Sequence, residues 1–128
     1  MALLRIEKDN GIATVYLNRP DKRNAMSFAL LKELVSTAEK FKKDRSLRCI
    51  ILTGEAQVFS AGIDLADLNN PKNKAFAAWE LVKPGQSLFQ KAFLIWQELP
   101  VPVISAIEGF CFGAGMQLAL ASDIRIAH

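Results

Sequence analysis

Two short, mainly apolar segments, each followed by a glycine-containing turn and a helical pattern, constrain the fold of this chain most. Cys49–Thr53 precedes the first turn, and Val103–Ile107 precedes the second. Apolar segments of this length are typical of strands in parallel sheets, which are usually covered on both faces. Their alternation with helical segments predicts an α/β fold with right-handed crossovers.

The N-terminal part of the sequence predicts a β-hairpin and a long helix. Apolar and polar residues alternate in Leu3–Glu7 and Ile12–Leu17, and Asn10-Gly11 between them is a strong hairpin turn. The range Ser27–Lys43 has apolar residues at helical spacing, and its first residue is a good N-cap.

The remaining patterns extend the order of elements to β-β-α-β-α-α-β-α-β, and the length of 128 residues indicates that they belong to one domain. Helical spacing in Ala75–Leu99 is interrupted at Pro84-Gly85, which predicts two helices. The chain stops directly after its last strand, and a sheet of this kind needs further elements to cover its faces, so we expect residues 1–128 to be the N-terminal part of a larger domain. The further segments are a short helix, a polar break, a helix and a strand: Asp64–Leu68, Asn69–Lys74, Met116–Ala121 and Asp123–Ala127.

Composition and charge exclude several classes of protein. Half of the residues are hydrophobic (51%), which argues against disorder. Residues 1–50 contain eleven Lys or Arg against six Asp or Glu, and the whole chain has a net charge of +3. This basic half gives nucleic-acid binding a weak case, but no RNA-recognition motif accompanies it, so we expect no nucleic-acid partner.

Compartment and metal binding are also constrained by the sequence. There is no apolar signal segment and no run long enough to span a membrane, so we expect a cytoplasmic protein without membrane contact. Cys49 and Cys111 lie far apart in apolar surroundings and are expected to be buried free thiols. His128 is the only histidine, so no metal site is expected.

The two glycine-containing turns, Phe59–Leu65 and Gly109–Gly115, are the places where chemistry is expected. Small residues let a ligand approach the backbone, and helix N-termini expose unpaired N–H groups. Two such turns at neighbouring strand ends could direct two N–H groups at one oxygen and stabilise an oxyanion. On the residues alone, tight packing explains such turns more often. A dinucleotide site is disfavoured because Gly113-Ala114-Gly115 lacks the third glycine of the fingerprint.

Three segments of the chain, taken together, resemble the successive signatures of the crotonase (enoyl-CoA hydratase/isomerase) family. They are NRPDKRNAMS at Asn18–Ser27, ILTGEAQVFSAGIDL at Ile51–Leu65 and PVISAIEGFCFGAGMQLALASDIRIA at Pro102–Ala127. The resemblance implies a crotonase-like spiral of ββα units with a mainly parallel sheet, apparently truncated to its N-terminal half. It also implies an acyl-CoA thioester as ligand, with CoA as a substrate carrier and no other cofactor, and a homotrimer or hexamer.

The resemblance further implies roles for individual residues. The backbone N–H groups of Ile63 and Ala114 are expected to donate to the thioester oxygen. Asp64 is expected to cap a helix beside this site. The other positions expected to contact the substrate are Lys22, Arg23, Asn24 and Ala25 near CoA, and Ala61, Gly62, Leu65 and Gly113 in the two turns.

The sequence departs from the family's hydratases at Gln117, where those enzymes have a glutamate. An amide can hydrogen-bond a water molecule or a substrate but cannot act as a general base. Glu108 is a poor substitute, because it ends the strand and is expected to face solvent. Three functions therefore stay open: a hydratase, which the resemblance favours; a double-bond isomerase, which Gln117 favours; and a CoA-binding protein without catalysis.

The resemblance implies that the variable region, Asp67–Gln97, lines the acyl pocket. Four aromatic residues in this region could shape the pocket, although their helical spacing is more typical of core residues. These four are Trp79, Phe89, Phe93 and Trp96.

Overall fold

A computed structural model of the chain contains one five-stranded sheet in which the strands follow their order in the sequence. It describes residues 3–55, 59–60, 62, 64, 70–82, 88–109, 111 and 114–127, with only the backbone at 77, 81, 82, 89, 114, 115 and 117. The first pair of strands is antiparallel and the other pairs are parallel. The strands are β1 (Leu4–Asp9), β2 (Ile12–Leu17), β3 (Cys49–Gly54), β4 (Val103–Ile107) and β5 (Ile124–Ala127).

Helices connect the parallel strands, which confirms the predicted α/β class. Short 3₁₀ turns lie at Pro20–Lys22 and Ile95–Glu98. In the described part of the chain, no helix has the length and apolar character needed to cross a membrane. The helices among the described residues are α1 (Phe28–Lys43), α2 (Pro71–Val82), α3 (Leu88–Leu94) and α4 (Ala114–Leu120).

The start of α2 corrects the predicted polar break at Asn69–Lys74, because the helix already begins at Pro71. The Asn70 side chain accepts a hydrogen bond from the Lys72 amide at 3.1 Å, as an N-cap residue does. Proline is favoured in the first helical turn, where its missing N–H costs nothing. The predicted short helix at Asp64–Leu68 lies, beyond its first residue, outside the described residues.

The hairpin between β1 and β2 turns at Asn10-Gly11, as predicted. Asp9 pairs with Ile12, and the two residues between them have φ angles of +51° and +82°. Positive φ at both central residues defines the type I′ turn that suits the twist of two strands. A Cβ atom at Gly11 would lie 2.9 Å from the Cδ of Arg48 and 3.1 Å from the carbonyl oxygen of Ser46, so this position requires glycine.

The core lies on one face of the sheet, against α1 and the segment around Trp96. Alternate residues of each central strand are buried, and the residues between them are partly exposed in the described part of the chain. This differs from the expected cover on both faces of β3. The two cysteines are half-buried free thiols rather than fully buried ones. The main core side chains are Val15, Leu17, Leu31, Leu34, Ile50, Leu52, Trp96 and Val103.

The N-terminus of α1 begins at the predicted cap. The hydroxyl oxygen of Ser27 accepts a hydrogen bond from the Leu30 amide at 3.1 Å. This contact satisfies one of the helix's first amides, which have no partner inside the helix. Because α1 covers the sheet, the cap also fixes the connection that enters from the turn after β2.

We expect Ser27→Ala to lower the free energy of unfolding by about 1 kcal/mol, because the Leu30 amide loses its partner. Urea titration of the purified protein measures this change. Ser36→Ala is the matched control, since Ser36 lies exposed inside the same helix, where alanine is the better helix former. Equal effects of the two substitutions would contradict the capping role.

Candidate active site

The two glycine-containing turns lie side by side at the carboxyl edge of the sheet. The strands that lead into them, β3 and β4, are parallel neighbours. Beyond the strands, the Phe59 amide donates to the Glu108 carbonyl oxygen at 2.9 Å, and Ser60 pairs with Cys111 in a parallel bridge. The predicted juxtaposition of the turns is therefore confirmed for the residues that the structure describes.

A third segment, the connection between β2 and α1, pairs with the other side of the first turn. The Met26 amide donates to the Gly62 carbonyl oxygen at 2.7 Å, and the Met26 carbonyl oxygen accepts from the Asp64 amide at 3.0 Å. Gly62 has a φ of +101°, a conformation that favours glycine. The first turn therefore lies between the Met26 segment and the second turn.

Asn24 is buried completely and holds the Met26 segment to the sheet. Its side-chain oxygen accepts from the Arg19 amide at 2.8 Å, and its side-chain nitrogen donates to the Glu55 carbonyl oxygen at 3.0 Å. Its φ is +55°, a left-handed conformation that asparagine tolerates better than most residues. The Asn24 side chain thus has a structural role, and the substrate contact expected there stays a prediction.

The other residues expected near CoA have different environments. Lys22 and Arg23 lie exposed on the 3₁₀ turn and just after it. Ala25 is half-buried, and its carbonyl oxygen accepts a hydrogen bond from an Arg19 guanidinium nitrogen at 2.5 Å. An exposed cationic side chain can meet phosphate groups, so this surface is compatible with the expected CoA contact.

Two polar residues of the site, Ser60 and Arg19, were missed by the sequence interpretation. The Ser60 hydroxyl donates to the Asn24 carbonyl oxygen at 2.8 Å and accepts from the Gly62 amide at 3.1 Å. Arg19 forms an ion pair with Asp64 at 3.1 Å, and each of these side chains is only 16% exposed. Both residues lie inside the signature segments, but the contacts of Ser60 with Asn24 and of Arg19 with Asp64 join positions 36 and 45 residues apart, so no local pattern reveals them.

Several predicted site residues lie outside the described part of the chain. These are Ala61, Ile63, Leu65 and Gly113. Ala114 is the first residue of α4 and Gln117 lies within it, and only the backbone of these two residues is described. The helix that Asp64 is expected to cap lies outside the described residues, and the contact seen for its side chain is the ion pair with Arg19.

The polar and reactive side chains at the second turn are poor candidates for acid, base or nucleophile. Glu108 is exposed, as predicted. Burial raises the pKa of the Cys111 thiol, so it stays protonated near neutral pH and is a weak nucleophile. What this edge of the sheet offers, among its described residues, is arranged backbone rather than a reactive side chain.

The aromatic residues expected around an acyl pocket are divided between core and surface. Trp96 is completely buried, whereas Trp79 is 60% exposed and the side chain of Phe89 lies outside the described residues. Phe93 borders a groove of about 300 Å³ between α3 and α4, whose other lining residues are Gln90, Leu94, Gln97, Leu120 and Ala121. A smaller hollow of about 150 Å³ lies beside the second turn, lined by Thr53, Ala106, Ile107, Glu108 and Ile126.

Comparison with known proteins gives consistent matches. The sequence profile described as Enoyl-CoA hydratase/isomerase matches residues 7–128. The Delta(3,5)-Delta(2,4)-dienoyl-CoA isomerase, mitochondrial, of Mus musculus is 41% identical over 117 residues, which are 87% of this chain and 36% of that protein. The methylglutaconyl-CoA hydratase, mitochondrial, of the same species is 38% identical over 122 residues, which are 94% of this chain and 37% of that protein.

A solved structure agrees with the sequence matches. The crystal structure of enoyl-CoA hydratase from Bacillus anthracis superposes with a TM-score of 0.85 and 31% identity. The match covers 98% of this chain and 47% of that structure. The chain therefore spans between about a third and a half of the length of the proteins that it resembles.

Proposed function

The chain belongs to the enoyl-CoA hydratase/isomerase (crotonase) family and has its fold, and from this premise we propose that it binds an acyl-CoA thioester and stabilises the derived enolate. In this proposal the backbone amides of Ile63 and Ala114 donate hydrogen bonds to the thioester oxygen. The two mouse relatives are named for reactions of CoA thioesters, one an isomerase and one a hydratase.

The observation that carries the proposal is the pairing of Ser60 with Cys111. Positions 63 and 114 each lie three residues beyond this pair in the sequence. Three residues span at most about 10 Å, which keeps both amides near the same edge of the sheet. The Gly62 carbonyl oxygen and the Asp64 amide are both hydrogen-bonded to the backbone of Met26. The proposed donor, Ile63, is the residue between them.

The chemistry follows from where negative charge develops. Removal of a proton from the carbon beside a thioester carbonyl moves negative charge onto the carbonyl oxygen. Two fixed N–H donors stabilise that charged oxygen more than they stabilise the neutral thioester. Lys22 and Arg23 supply exposed positive charge for the CoA phosphates. CoA acts as a carrier in this scheme, and the scheme uses no other cofactor.

Within this acyl-CoA chemistry, the family resemblance favours hydration, whereas Gln117 favours double-bond isomerisation as the second candidate. Isomerisation moves a proton within the substrate, whereas hydration must also activate and add a water molecule. A glutamine can hold that water but cannot accept its proton. A CoA-binding protein without catalysis is the remaining alternative, and the assays below distinguish it.

Assembly and location are further predictions from the family resemblance. Self-association as a homotrimer or hexamer and location in the cytoplasm stay predictions, and both mouse relatives carry the word mitochondrial in their names.

Ala114→Pro tests the proposed oxyanion donor. Proline removes the N–H, yet it is tolerated in the first turn of a helix, where Ala114 lies. We expect acetoacetyl-CoA to bind to the unsubstituted protein partly as its enolate, seen by ultraviolet absorbance, and the variant to lose this signal. Turnover of enoyl-CoA substrates should fall about 100-fold to 1,000-fold, as for other lost oxyanion donors.

Ala114→Gly is the matched control for this experiment, because it removes the side chain but keeps the amide. We expect it to retain the enolate signal. Circular dichroism verifies that both variants are folded. An unsubstituted protein that binds no CoA thioester would overturn the proposed function, and full enolate formation by Ala114→Pro would overturn the assignment of the donor.

Gln117→Glu tests which reaction the site performs. If a second carboxylate completes the hydratase arrangement, the new glutamate should raise the ratio of hydration to isomerisation with short and medium enoyl-CoA substrates, because it can accept a proton from water. Asn10→Asp is the matched control, since it makes the same amide-to-acid change in the exposed hairpin turn. An unchanged ratio would contradict the idea that hydration in this protein needs only a carboxylate at position 117 to act together with a second carboxylate.

A further inference from the structure

The Arg19 guanidinium contacts both of the segments that pair at Met26, namely the Met26 segment itself and the first turn. One of its nitrogens donates to the Asp64 carboxylate at 3.1 Å, and another donates to the Ala25 carbonyl oxygen at 2.5 Å. The planar fork of arginine holds two acceptors in a fixed relation, which the single ammonium group of lysine does not do. Arg19 therefore sets the position of Asp64 relative to the Met26 segment.

The Met26 pairing itself brackets the proposed oxyanion donor. Met26 is bonded to Gly62 before position 63 and to Asp64 after it. Ser60 reinforces the first of these contacts, since its hydroxyl group joins the Gly62 amide to the Asn24 carbonyl oxygen. The Arg19–Asp64 ion pair reinforces the second. Position 63 is thus bounded on each side by a backbone contact and a side-chain contact.

Asn24 connects this arrangement to the sheet. It is buried completely and bonded to the carbonyl oxygen of Glu55, which follows β3 directly. It is also bonded to the amide of Arg19. The segment that carries Arg19 is therefore held to the end of β3, the strand that leads into the first turn. The Arg19–Asp64 ion pair connects the same segment to the far end of that turn.

We propose that Arg19 and Asp64 are positioning residues. They hold the first turn so that the Ile63 amide can donate to the same oxygen as the Ala114 amide. This inference rests on the proposed function and extends it to residues that do not touch the substrate. Displacement of a positioned group by about 1 Å can lower a rate about 100-fold. Because the donors act mainly on the charged transition state, loss of alignment should lower kcat more than it changes KM.

The test compares Asp64→Asn with the unsubstituted protein, whose enoyl-CoA turnover and acetoacetyl-CoA enolate signal are measured first. Asparagine keeps the shape of the side chain but loses the charge that pairs with Arg19. We expect kcat per folded molecule to fall about 10-fold to 100-fold with a much smaller change in KM, and the enolate signal to weaken. Glu98→Gln is the matched control, because it removes a carboxylate from the exposed ion pair with Lys42 and should leave both readouts unchanged.

Arg19→Lys provides a second variant that keeps the positive charge if Asp64→Asn does not fold. It should lower kcat because lysine cannot hold Asp64 and the Ala25 carbonyl oxygen together. Failure of the unsubstituted protein to bind thioester would remove the proposed function. With that function intact, folded variants that have unchanged kcat and an unchanged enolate signal would overturn the positioning role, even if their melting temperature were lower.

Discussion

The backbone pairing of three loop segments at the carboxyl edge of the sheet is the constraint on which this site depends. Ser60 pairs with Cys111, and Met26 pairs with Gly62 and Asp64. These contacts are made by residues far apart in sequence, so they form only once β2, β3 and β4 are aligned in parallel. The alignment of these strands therefore determines where each turn can place its amides.

A site built from backbone has particular chemical consequences. Its hydrogen-bond donors have fixed directions and need no reorganisation when charge appears on a bound oxygen. Side-chain identity at the donor positions then matters little, whereas the residues that hold the loops matter more. Arg19, Asn24 and Ser60 belong to this second group: each joins two segments of the site through side-chain atoms. In the function proposed for this site, chemistry at the carbon beside the thioester must come from other groups, and Gln117 restricts which ones.

The sequence predicted those parts of the structure whose cause is local. The turn at Asn10-Gly11 and the cap at Ser27 follow from single-residue conformational preferences, and both are seen. The adjacent turns follow from parallel strand order. The polar break was wrong because Asn70, although polar, is a helix cap. The ion pair of Arg19 with Asp64 could not be predicted, because it joins residues 45 positions apart whose approach depends on the complete sheet. The expected contact of Asn24 with the substrate stays a prediction, and the hydrogen bond from its side chain to the Glu55 carbonyl oxygen, 31 positions away, could not be predicted.

The infrared stretching frequency of the bound thioester carbonyl tests the central claim most directly. Difference spectra of an enoyl-CoA with and without carbon-13 at the carbonyl isolate this one bond in the complex. Two backbone donors should lower its frequency relative to the free thioester in water, because they polarise the carbonyl more strongly than solvent does. A bound carbonyl with the same frequency as the free thioester, or a higher one, would contradict an oxyanion hole at this edge of the sheet.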